Sequence, residues 1–368
     1  MRQALTRHSA PQSGRPLRWL LTALAIALVT SPALAAVAVP EPESITRLPD
    51  AVMEKFEREV LSKTRQPKAR VQGLMDFIFD EDGLALEYAD DHSRTVADSI
   101  RDKKANCLSF TLLFIELAKA ARFKARLLES DQSLVWFSQD DKLYLAGHVS
   151  AQIKLGHNRF EVNFDPETPM THSNKRPASD ERVVAHFYNN RAAELMAVGD
   201  YTSADAYFTA ARNTDPSLVS IFNNRGVLHR HLGDEVAAAA SFEQALRMDP
   251  NDLSALSNLV NVYRVQERFA EADRLEENLS IAQRKNPIHH FIMGTQHERN
   301  EEYERAFGYY KEASRLDRRE PAYLLALARV SESAGKPEQA RLYNKRARDL
   351  QKRGPRALNV VDRRPRGR

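Results

Sequence analysis

Apolar and polar positions divide this chain into three kinds of pattern. From residue 51 to 121 the apolar residues recur every three or four positions, which predicts helices. Met53, Phe56 and Val60 share one face over 51–63, and Val71, Leu74, Met75 and Ile78 share another over 68–80. A turn follows at 80–83, then a short polar helix or loop over 93–102. A buried helix then opens at Cys107 and runs through Leu108, Leu112, Phe114, Ile115 and Ala118 to about Ala121. From 124 the period becomes two. Strands are expected at 124–128, 133–138, 143–155 (a single long strand containing His148) and 159–164. Asp140-Asp141 and Gly156-His157-Asn158 mark the turns, and Asp165-Pro166 closes the last strand. From 185 the pattern is helical again and repeats itself. Gly199-Asp200, Ala204, Phe208, Ala211 and Asp215-Pro216 return 34 residues later as Gly233-Asp234, Ala238, Phe242, Ala245 and Asp249-Pro250.

A fixed period of this length marks stacked supersecondary units. The same frame continues through Ala272, through Gly294, Ala306, Tyr310 and Ala313, and through Ala328, Gly335, Ala340 and Ala347. It is weakest in the third unit, where Glu276 stands in the large apolar position. Residues 185–354 resemble the tetratricopeptide repeat family in five units. The resemblance implies an all-α solenoid whose groove takes a protein or peptide partner.

Composition modifies this picture at the two ends. The chain has 368 residues, 42% hydrophobic and 28% charged, with a formal net charge of +4. Arg2, Arg7, Arg15 and Arg18 precede an apolar run from Trp19 to Val29, and Ala33-Leu34-Ala35 offers a cleavage site. Residues 1–35 therefore read as a secretory signal peptide. If the leader is retained, the uncharged stretch 19–40 is long enough to anchor the chain in a membrane. Either reading places the remainder outside the cytoplasm, in the periplasm or cell envelope. Residues 36–50, rich in Pro and Glu, read as a linker, and the Arg-rich residues 355–368 as a basic disordered tail. The body, 36–351, carries 43 basic and 49 acidic residues, which argues against a nucleic-acid partner.

Cys107 is the only cysteine, so the chain has no internal disulfide. A thiol at a helix N-terminus is favoured as thiolate by the partial positive charge there, and Lys103 and Lys104 add to it. Cys107, His148 and Asp165 supply a nucleophile, a base and a carboxylate to orient the base. Asn-Cys107-Leu-Ser-Phe, Gly-His148-Val-Ser-Ala and Asn-Phe-Asp165-Pro, in that order, resemble the transglutaminase-like superfamily over about residues 51–170, within a domain expected at 51–180. The resemblance implies an α+β transglutaminase-like domain, with Cys107, His148 and Asp165 as its catalytic residues. Its activity would be thiol acyl transfer, as a hydrolase (protease or amidase) or a transglutaminase-like transferase. Many members carry Trp two residues after the histidine, where this chain has Ser150. The rival reading is a non-enzymatic envelope scaffold in which the repeats bind partners and the N-terminal domain only docks.

Other histidines carry less. His229, His231, His289 and His290 fall on repeat helices without a carboxylate cluster, His157 falls in a turn, and Asp90, Asp91 and His92 read as a helix cap. The chain has no Walker loop, dinucleotide fingerprint or His-Glu-x-x-His, so neither a cofactor nor a metal is expected.

Overall fold

Proline begins the first helix. Pro42 opens α1 (Pro42–Thr46), where its missing N–H costs nothing. α2 (Asp50–Phe56) runs on into a π-helical turn, Glu57–Leu61, and α3 (Pro67–Phe79) again starts on proline. The computed structural model describes residues 38–130, 135–139, 142–146, 149–156, 158–164, 175–351 and 356–359. The leader, Asp140-Asp141, His148, His157, Asp165 and most of the basic tail lie outside the described residues.

The expected linker is folded. Ile45 is fully buried, and the hydroxyls of Tyr188 and Tyr207 donate to the carbonyls of Pro40 (2.6 Å) and Ala38 (3.0 Å). Its Pro/Glu composition hid this, because the packing partners lie some 150 residues away in sequence.

Next come β1 (Glu87–Tyr88), α4 (Val96–Asp102), β2 (Lys104–Ala105) and α5 (Cys107–Ala120). α5 is apolar nearly all round, as a helix buried over most of its circumference must be. Leu108, Phe110, Leu112, Leu113, Phe114, Leu117 and Ala118 are all buried. It lies on a five-stranded sheet and packs against β3 (Lys124–Ser130) and β6 (Val149–Leu155). β7 (Asn158–Asn163), β8 (Lys175–Pro177) and β9 (Arg356–Asn359) complete the order β8-β3-β6-β7-β9. β9 runs parallel to β7, Phe160 opposite Arg356, so part of the expected disordered tail is an edge strand. β4 (Val135–Gln139) and β5 (Lys142–Ala146) pair only with each other. The single strand expected over 143–155 is therefore two strands, β5 and β6, in different sheets.

Ten helices follow in five antiparallel pairs: α6 (Asp180–Ala197) with α7 (Tyr201–Thr214), α8 (Val219–His231) with α9 (Glu235–Met248), α10 (Leu253–Val265) with α11 (Phe269–Lys285), α12 (Pro287–Arg299) with α13 (Tyr303–Leu316), and α14 (Pro321–Ser333) with α15 (Pro337–Gln351). The array begins at Asp180, where Ser179 accepts the Arg182 N–H, five residues before the expected start. α6 also belongs to the sheet side, since His186 Nε2 lies 2.9 Å from Glu129 Oε2 on β3. One buried core runs without a break from Ile45 to Ala272, so the first three pairs and the α+β part share it.

Every turn within a pair needs one left-handed residue, in register at 34-residue spacing. Gly199 (φ 82°), Gly233 (φ 76°) and Gly335 (φ 73°) take it without a Cβ penalty. The third and fourth turns use Glu267 (φ 59°) and Glu301 (φ 60°). A non-glycine residue in this region costs about 1–3 kcal/mol, against about 0.5–1 kcal/mol of extra chain entropy for glycine. Glu267→Gly is therefore expected to raise stability by about 1 kcal/mol in a urea titration. A loss of stability would contradict this account of the turn.

Candidate functional site

The start of α5 is held by a polar frame. Asn106 caps the helix, its Oδ1 accepting the Ser109 N–H at 2.9 Å. Its Nδ2 donates to Ser93 Oγ at 3.0 Å. The Ser93 N–H and hydroxyl both donate to Glu194 Oε1 of α6, each at 2.8 Å. Ser109 Oγ accepts the Arg94 N–H (2.8 Å) and donates back to the Arg94 carbonyl (3.0 Å). The buried Arg94 guanidinium grips Asp91 through two bonds, 2.7 and 2.6 Å, and reaches Asp102 at 3.3 Å. That grip holds the Asp91 carboxyl far below the usual carboxylate range, while burial pushes Glu194 up. The cap of α4 is Thr95, which accepts the Asp98 N–H; the expected cap residues Asp91 and His92 instead belong to the Arg94 ion-pair cluster. Lys103, left-handed at φ 53°, and the short β1–β2 bridge deliver the chain to Asn106.

Cys107 is the first residue of α5 and half-buried, and its carbonyl accepts the Thr111 hydroxyl at 2.7 Å. His148 and Asp165 are outside the described residues, but their chain neighbours are not. Val149 begins β6, paired with Glu129, and is buried in the core that contains α5. Phe164 stacks on Phe110 at 5.4 Å and 11°, one helical turn beyond Cys107, and Tyr88 stacks on the same Phe110. The structure thus brings the neighbour of Asp165 onto the first turn of the Cys107 helix.

On β6, Ser150 is buried and donates to Glu161 Oε1 at 2.7 Å. Glu161 is paired with Lys175 at the start of β8, and both side chains are almost completely covered. Sequence reading missed this pair and the frame of Ser93, Arg94 and Glu194. Glu161 gave little signal, because it alternates with Phe160 and Val162 as a solvent-facing strand residue would.

Two histidines of the helix pairs have local partners. His231 stacks on Tyr201 at 5.3 Å, and His290 Nε2 lies 3.1 Å from the Arg284 carbonyl. Among the described residues, no three His, Cys, Asp or Glu converge to hold a metal.

The second candidate region is the row of first helices of successive pairs. α6 touches α8 and α8 touches α10, so these first helices of successive pairs form one surface. Buried asparagines join them. Asn224 Nδ2 donates to Asn189 (3.2 Å), Asn223 to Asn224 (3.3 Å) and Asn258 to Asn223 (3.0 Å). Small residues let the two helices of a pair close: Gly226 and Gly294 sit against the rings of Phe242 and Tyr310. Residues 189–252, 236–273 and 293–355 match the family described as tetratricopeptide repeat. This part of the chain is a tetratricopeptide repeat array. Solved structures similar to part of the chain include MamA 41-end from Desulfovibrio magneticus RS-1, at 18% identity over 48% of this chain and 97% of that one, TM-score 0.26. Another is YrrB, titled a TPR protein with an unusual peptide-binding site, at 18% identity over 45% and 85%, TM-score 0.25. No curated protein matches the chain. The tetratricopeptide assignment rests on the family match and the helix pairs themselves.

Proposed function

We propose that the chain works through its tetratricopeptide repeats, as a module that binds an extended segment of another protein on the surface of α6, α8 and α10. The observation that carries this reading is the joined surface of these first helices, backed by the asparagine chain that fixes one helix against the next. Such a surface is rigid before a ligand arrives, which lowers the ordering cost of binding. The basic leader and its apolar run support export, so the partner would be an envelope or extracellular protein. No described helix is long and apolar enough to cross a membrane. A photo-crosslinker at Asn261 on α10 should trap partner protein in cells, and the same group at Glu277 on α11 should trap at least ten-fold less. Equal trapping at both positions would sink the reading.

A second reading is supported by the placement of Phe164 against the Cys107 helix. In it, Cys107 attacks an acyl carbon as thiolate. His148 takes the thiol proton and passes it to the leaving amine, Asp165 orients His148, and water or an amine then accepts the acyl group. Iodoacetamide should alkylate Cys107 near neutral pH at least ten-fold faster than an ordinary thiol, and His148→Ala should abolish the excess. An ordinary rate in the folded chain would remove this reading and leave the first intact.

A further inference from the structure

The surface formed by the first helices of the repeat array is not open along its length. β5 lies against both α8 and α10, the first helices of the second and third pairs. It belongs to the β4–β5 hairpin, which leaves the main sheet after β3 and returns to it at β6. The two strands form their own sheet, with Phe137 opposite Tyr144 and Trp136 opposite Leu145, and bond to none of the other described strands. A lone two-stranded hairpin is marginal in water. What order it has therefore depends on the helices it lies on. The sequence of its strands is apolar and aromatic, Val135-Trp136-Phe137 and Leu143-Tyr144-Leu145.

We infer that the β4–β5 hairpin is a built-in occupant of the repeat groove at α8 and α10, and that a partner binds there by displacing it with an extended apolar-aromatic segment of the same kind. This rests on the reading of the array as a peptide-binding module. A tethered occupant competes at an effective concentration in the millimolar range. If it leaves the groove open ~1–10% of the time, partner affinity falls ~10–100-fold. The groove then answers only to segments that fit as well as the hairpin does. Loss of hairpin docking releases it for weaker ones.

The probe is a fluorescein-labelled synthetic peptide of residues 133–147. Tyr144→Pro removes a backbone N–H from the middle of β5 and weakens the two-stranded ladder without altering any residue of the array. The full chain carrying Tyr144→Pro should bind the peptide at least ten-fold more tightly than the unaltered chain. Equal affinity for both chains overturns the proposal. A second measurement needs no variant: hydrogen exchange of the unaltered chain at saturating peptide. Amides of 142–146 should lose protection while those of α8 and α10 keep theirs. Retained protection at 142–146 under saturation also overturns it. If the peptide binds neither chain while crosslinking from Asn261 stays face-specific, the hairpin proposal falls and the module reading stands. If face-specific crosslinking is lost as well, both fall.

Discussion

Lys175→Met is expected to destabilise the chain by about 3–5 kcal/mol, because it strands a buried carboxylate. The Lys175 and Glu161 side chains are 6% and 4% exposed. The Ser150 hydroxyl, at 2.7 Å, is a neutral donor and cannot replace an ammonium. The penalty comes from the orphaned charge, and the pair itself adds little net stability, since desolvating two ions offsets most of their attraction. The double variant Glu161→Leu/Lys175→Met should therefore recover most of the loss, giving a coupling of at least about 2 kcal/mol in a denaturant double-mutant cycle. A Lys175→Met chain within 1 kcal/mol of the unaltered one would show that the pair is solvated in solution. The pair ties β7 to β8 and, through Ser150, holds β6 two residues from His148. Its loss would be felt where the candidate base joins the sheet.

How far the chain could be read from its sequence depended on the range of the interactions. The buried helix at Cys107 was legible because its apolar run is continuous in sequence, although its cap, Asn106, shows only in the structure. The repeats were legible because each unit restates one local frame. The misses are long-range. β9 pairs with β7 across almost 200 residues, and nothing in Arg356-Ala-Leu-Asn signals a strand edge waiting at Phe160. The folded stretch around Ile45 depends on Tyr188 and Tyr207. The frame around the thiol helix is closed by a bond from Ser93 to Glu194, 101 residues apart. The strand expected over 143–155 failed for another reason. Alternation reports a half-buried strand but not which sheet buries it, and β5 lies on helices α8 and α10 while β6 pairs within the main sheet. For the trio Cys107, His148 and Asp165, the structure supplies the first member and the chain neighbours of the other two.

Gly226→Val should cost about 3 kcal/mol or more, at the upper end of overpacking penalties. A Cβ at Gly226 would lie 2.5 Å from Phe242 Cε1 and 2.7 Å from Cδ1 and Cζ. Phe242 is fully buried, so its ring cannot swing into solvent. The helix-propensity gain on replacing glycine is under about 1 kcal/mol and cannot offset this. The third pair shows the rule from the other side. Thirty-four residues on, Val260 takes the glycine position and Glu276 the phenylalanine position. With no ring between the helices, the valine is buried at 6% exposure and the glutamate turns outward to Arg264. The misfit of Glu276 with the repeat frame is thus one half of an exchange of volume between two helices. Phe242→Ala alone should cost about 3–5 kcal/mol through its cavity. Gly226→Val/Phe242→Ala should cost at least 2 kcal/mol less than the sum of the two, since the valine fills part of that cavity. Because each pair contacts mainly its neighbours, the damage should be local. Hydrogen exchange should accelerate first in α8 and α9 and leave α14 and α15 protected. Strictly additive single-variant losses would mean that the two side chains do not share the space between α8 and α9.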